Sequence, residues 1–180
     1  MRSLTVADRR RVIDTLKQER IKREEQGRSE LALLPNSHWS KAHLLRRIPN
    51  PTSEGYEQKI HIPEFTFMGV GSQPDFGEIL LTFYPRDWTI ELKSLKVYKE
   101  AFRSDIASYE RLANVIYEDI MTVFEPCRLR LSVQMRPRGG ISSVLTIDSD
   151  WAVRGGKEEL SDWKSNVDTF GLQIHGTTRL

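Results

Sequence analysis

Apolar and polar positions follow two different periods along this chain, and the changes of period divide it. Over residues 1–30, Val12, Ile13, Leu16 and Ile21 recur at roughly helical spacing among many Arg, Lys and Glu, which predicts an amphipathic helix capped by Thr5 or Asp8. Its basic residues concentrate on the outward face. That pattern suits contact with RNA or phosphate, and more commonly a solvated face on a helix docked by its apolar stripe. The stretch "LLPNSHWSKAHLLRRIPNPTSEG" is punctuated by Pro, Asn and Ser and reads as a connection with a short helical patch inside it.

From residue 56 the period shortens to two. "YEQKIHIPEFTF" and "GEILLTFYP" alternate as strands, the second closed by the turn "PRDW", and a third short strand, "TIELKSLKVY", leads into a helix beginning near Tyr98. Phe102, Ile106, Leu112, Val115, Ile116, Ile120 and Val123 then fit one long helix or two joined by a break. "RLRLSVQMRP" alternates again, and "ISSVLTIDSDW" follows a turn at Gly139 and Gly140. Strands with helices between them predict an antiparallel sheet covered on one face by helices, an α+β domain. The domain spans residues 51–150, after a basic helical extension and linker at 1–50 and before a polar tail at 151–180.

Composition adds limits. The 180 residues are 38% hydrophobic and 29% charged, enough for one domain with a real core, and the net charge of +2 does not mark a dedicated nucleic-acid binder. One cysteine, Cys127, permits neither an internal disulfide nor a thiolate metal cluster, which suits a reducing cytoplasm. The N-terminus is charged throughout, unlike a secretory signal, and the apolar runs are too short to span a bilayer, so a cytoplasmic protein is expected.

Familiar catalytic signatures are missing: there is no phosphate-cradling glycine loop of standard spacing, no nucleophile elbow and no paired-histidine motif. His38, His43, His61 and His175 stand apart from other metal-ligating residues, so no metal is expected in the chemistry.

More specific is a series of strings in fixed order: "PEFT", "QPDFG", "ELKSLKVY", "SYE" and "PRGGI". Together, over about residues 56 to 145, they resemble the NADPH-dependent 7-cyano-7-deazaguanine reductases, the nitrile reductases of queuosine biosynthesis, in their short single-domain form. The resemblance implies a tunnelling fold, an antiparallel sheet with two helices on one side, assembled into a homo-oligomeric ring with sites between subunits. It implies NADPH as cofactor and a small deazapurine-like substrate. On this chain it makes Asp75 in "QPDFG" the proton donor, and it makes Glu91 and Glu110 the anchors of the substrate ring. Lys93, Ser94 and Lys96 become cofactor ligands, with further phosphate contacts from Arg136 and Arg138. A carboxylate beside a pocket wall can have the raised pKa of a general acid, and a carboxylate can accept two parallel N–H bonds from such a ring.

The family's thiol, which adds to the nitrile carbon, would fall at Gly69, in a segment one residue shorter than the family pattern; the family's histidine is replaced by Tyr109. Cys127 lies beyond the long helix, and Ser72 is the only hydroxyl in the loop. Three readings follow: reduction of an already activated C=N bond, an imine or iminium, with Asp75 or Tyr109 supplying the proton; 7-cyano-7-deazaguanine reduction by an altered route; or a non-catalytic ligand-binding subunit of a ring.

Overall fold

The structure, a computed structural model, describes residues 6–71 and 73–150. Thr5, Ser72 and the tail from residue 151, each singled out above, lie outside the described residues. Helix α1, Val6–Ala32, is followed by two single 3-10 turns at Asn36–His38 and Ala42–Leu44, and then by β1, Arg47–Pro49. After these come β2, Gln58–Met68; β3, Pro74–Tyr84; β4, Trp88–Ile90; α2, Leu92–Glu100; α3, Tyr109–Phe124; β5, Arg128–Arg138; and β6, Ile141–Asp148. Strands β2-β3-β5-β6 form one antiparallel sheet, while β1 and β4 pair as a separate ribbon. This is the expected α+β architecture, with helices packed on one face of the larger sheet.

Alternation in the strands sets that face. Phe65 and Phe67 of β2, Ile79, Leu81 and Phe83 of β3, and Leu129, Leu131 and Val133 of β5 are all buried. Against them lie Leu95, Tyr98 and Phe102 from α2 and its end, and Leu112, Ile116 and Ile120 at helical spacing on α3. The opposite face is polar: Lys59, Thr82, Arg130 and Asp148 share one row across all four strands. Gly139 (φ 60°) and Gly140 (φ 83°) supply the left-handed backbone of the β5–β6 turn.

Two expectations are corrected and one open alternative is decided. Helix α2 begins at Leu92, not near Tyr98, because Glu91 caps it by accepting a hydrogen bond from Ser94 N at 2.9 Å. The helical stretch is two helices, and α3 restarts where Ser108 accepts from Arg111 N at 3.3 Å. The apolar stripe of α1 is not docked along its length: Val12, Ile13, Leu16 and Ile21 are each about half exposed. The row is too sparse, since at roughly 100° per residue Ile21 lies about half a turn round from Val12. The connection, for its part, contributes Trp39 and Leu45 to the core and forms β1, which its Pro and Asn content had concealed.

Three segments are sewn together by one buried carboxylate. Asp119 of α3 accepts hydrogen bonds from Tyr98 Oη at 2.8 Å, from Lys41 N at 3.0 Å and from Ser40 Oγ. Burial, and after it the Asp119 charge, pushes the Tyr98 phenol well above its ordinary value.

Candidate active site

The end of the sheet at Met68 and Pro74 is where the chemistry-bearing residues meet. Met68 and Pro74 pair across β2 and β3, and the loop between them is closed by Gly69 N donating to Gln73 O at 2.8 Å. The segment joining α2 to α3 runs beside this end: Met68 N donates to Asp105 O at 2.9 Å, and Ala107 N donates to Met68 O at 3.0 Å. Those two bonds bring Ser108 and Tyr109 to the loop and to Asp75, the second residue of β3.

Asp75 is about one-fifth exposed and accepts from Arg138 Nη1 at 2.8 Å; Arg138 Nη2 donates to Gln73 Oε1, also at 2.8 Å. Arg138, read from sequence as a phosphate ligand, is therefore occupied with the candidate acid in this chain. A Cβ built on Gly69 would lie 2.4 Å from Asp75 Oδ2 and 3.3 Å from Arg138 Nη1. That separation is well inside van der Waals contact. A side chain at residue 69 would therefore meet the end of the Asp75 side chain, which would have to shift.

Asp75 and Tyr109 line one cavity of about 420 Å³ with Trp39, Val70, Leu31 and Arg111. Its wall is mostly apolar, with few polar groups, as small-molecule sites are. Trp39 is buried and fixed by donating Nε1–H to Ile106 O at 3.1 Å. Above it Arg111 lies 5.4 Å from the ring centre and donates to Asn36 Oδ1 at 2.8 Å and to Ala32 O at 3.2 Å. Trp39 and Arg111 were not singled out from sequence, and the only hint was a tryptophan within an otherwise polar connection. Glu110 is exposed and is not among the residues lining this cavity.

Glu91, Lys93 and Ser94 line a different cavity, of about 520 Å³, with His43, Arg46 and Arg47. It lies beside the β1–β4 ribbon, next to the Tyr84 end of β3. The two cavities share no lining residue, although Trp39 of one and His43 of the other are only four residues apart. The donor set at α2 (two guanidiniums, an ammonium and an imidazole) fits the phosphates of a dinucleotide. Ser94 is buried, however. Its Oγ accepts from Arg46 N at 2.9 Å and donates to Glu91 O at 2.7 Å, so its hydroxyl fastens α2 to the preceding segment. Lys96 and Arg136 are exposed outside both cavities. The two carboxylates read as anchors, Glu91 and Glu110, do not converge within one chain.

Cys127 sits at the far end of β3, its backbone N donating to Tyr84 O at 2.9 Å and its thiol to Pro85 O at 3.8 Å. Among the described residues no cluster of three His, Cys, Asp or Glu is arranged to hold a metal ion, and no helix is long and apolar enough to cross a membrane.

The chain is similar to proteins of known name. Residues 74–153 match the family described as QueF-like protein. The NADPH-dependent 7-cyano-7-deazaguanine reductase of Thermomicrobium roseum is 38% identical over 104 residues, 57% of this chain and 81% of that protein. The enzyme of the same name from Nitrosospira multiformis is 39% identical over 58% of this chain and 76% of its own length. The one from Granulibacter bethesdensis is 38% identical, with 65% of its length matched. A solved structure of an archaeosine synthase QueF-Like in the apo form aligns with a TM-score of 0.48 at 16% identity, covering 56% of this chain and 96% of that one.

Proposed function

Because the chain belongs to the same family as the NADPH-dependent 7-cyano-7-deazaguanine reductases, we propose that it is an NADPH-dependent oxidoreductase acting on an already electrophilic C=N bond, an imine or iminium. The observation that carries this reading is at Gly69: the position matched to the thiol has no side chain, and the Asp75 carboxylate, paired with Arg138, occupies the room one would need. Without a thiol there is no covalent thioimide, and a bare nitrile is a poor hydride acceptor. An imine needs no such activation.

The reaction balances simply: one hydride reaches carbon and one proton reaches nitrogen, so that C=N becomes CH–NH. NADPH, when bound, supplies the hydride. The chain's own part is to seat the C=N group against Trp39 and Val70, exclude water, and deliver the proton from Asp75 or Tyr109, which line the same cavity. Once it has given up its proton, the Asp75 carboxylate is left facing the cationic iminium, the better hydride acceptor. His43, Arg46, Arg47 and Lys93 would hold the cofactor phosphates at α2; Lys96, outside that cavity, and Arg136, beside the Gly77 end of the sheet, would add contacts only from another subunit. The separation of the two cavities supports a site completed between copies of the chain in a homo-oligomeric ring, where Glu91 and Glu110 would come from different subunits.

Following NADPH absorbance with a panel of cyclic imines and with 7-cyano-7-deazaguanine tests the reading. Imine-dependent oxidation without nitrile turnover is expected. Efficient turnover of the nitrile would instead favour the second reading, 7-cyano-7-deazaguanine reduction by an altered route, which rests on the relatives' activity. Failure to bind NADPH would sink both and leave a ligand-binding subunit.

A further inference from the structure

The 420 Å³ cavity does not end at its own wall. Leu31 and Val70 are shared with a second, larger cavity of about 960 Å³, lying between α1 and the loop after β2. Its α1 wall is one face of the helix: Leu16, Arg20, Arg23, Gly27 and Leu31 follow at steps of three or four, and Leu34 lies just past the helix end. The opposite wall includes Val70, Gly71 and Ile106. Leu31 and Leu34 are partly buried, and the charges among the lining residues are mixed, Glu19 and Glu30 beside Arg20 and Arg23, so the chamber has no net preference for an anion. Its apolar part is made by Leu16, Leu31, Leu34, Val70 and Ile106.

One contact sets the position of α1 over this chamber. Arg111 fixes the end of α1 by donating to Ala32 O, so the helix leaves the body at a set point above the catalytic cavity. Gly27 lies within the helix, where glycine is destabilising, and a Cβ there would meet nothing within 4 Å. A bare bicyclic ring needs only the smaller cavity, which already lies within the range of about 300–1,000 Å³ that encloses a drug-sized ligand.

We infer that the α1 chamber is a second substrate subsite, and that the C=N compound this chain accepts carries a bulky apolar substituent which lies along Leu16, Gly27, Leu31 and Leu34. The inference rests on the Asp75 cavity being the substrate site. It makes α1 a specificity element.

The test is calorimetric and uses the full chain without NADPH, with dihydroisoquinolines bearing either methyl or hexyl at the imine carbon. The hexyl compound binds more tightly than the methyl compound by about tenfold or more. Gly27→Trp, which fills the chamber from a position with open space, removes most of that gain while leaving methyl-compound affinity and thermal unfolding unchanged. Leu16→Glu, from the same wall, removes it too and decides the matter if the tryptophan variant fails to fold. Equal affinities in the unaltered chain, a gain that survives both variants, or binding of neither compound overturns the inference. Tail-dependent binding without NADPH oxidation would sink the reductase reading and leave the chamber standing.

Discussion

Asp75 is held between a guanidinium and a residue with no side chain, and both neighbours have consequences. Arg138 orients it from one side, and Gly69 gives it room on the other. Asp75→Asn keeps the shape of the cavity and removes the transferable proton, so NADPH and substrate affinities should persist while turnover falls by about 10²–10⁴-fold, as loss of a general acid does. Equal losses in binding and turnover would show that Asp75 only anchors substrate. Gly69→Ala forces Cβ into the Asp75 carboxylate; it should cost roughly 1–3 kcal/mol in urea unfolding, the usual range for overpacking. Wild-type stability in that variant would mean that Asp75 swings away freely, and that the space is available to a larger side chain after all.

Among the elements, α2 shows what sequence could and could not reveal. "ELKSLKVY" was recognisable as a unit, but its strand-like start hid a helix, because capping by Glu91 depends on one side chain turning back to Ser94 N. The strand alternation of β2, β3, β5 and β6 was legible, since a period of two survives any tertiary context that buries one face. β1 was not, because its three residues are exposed and make sense only beside β4. Likewise, the meeting of Asp75 with Tyr109 depends on the long-range bonds of Met68 to Asp105 and Ala107, which leave no local signal.

Ser94→Ala, which strands Arg46 N, should lower stability by about 1–3 kcal/mol with little change in NADPH affinity. Lys93→Ala should do the reverse in a binding titration. Tyr98 offers a pH test. An unfolded chain releases the phenolic proton near pH 10, whereas the folded chain retains it to higher pH. Its contribution to stability is therefore complete below about pH 10 and is lost as pH rises through the folded value. Tyr98→Phe should flatten that part of the alkaline unfolding profile, and an unchanged slope would place the loss elsewhere.

At the scale of the whole molecule, two cavities that share no lining residue support the proposal that the reaction is divided between chains. Mixing Asp75→Asn subunits with Lys93→Glu subunits should therefore restore part of the activity that each lacks alone, because some sites then combine two intact halves. No recovery in co-assembled rings would contradict shared sites. Hydride reduction without a thiol is the core of the proposed chemistry, and the chain permits a direct trial of it because Cys127 is its only cysteine. The decisive measurement is NADPH oxidation by Cys127→Ser, which has no thiol, with intact-mass analysis of the unaltered protein after exposure to 7-cyano-7-deazaguanine. An unchanged rate with an imine substrate and no added mass are expected; a lost rate, or a covalent adduct on the unaltered chain, would contradict thiol-free reduction.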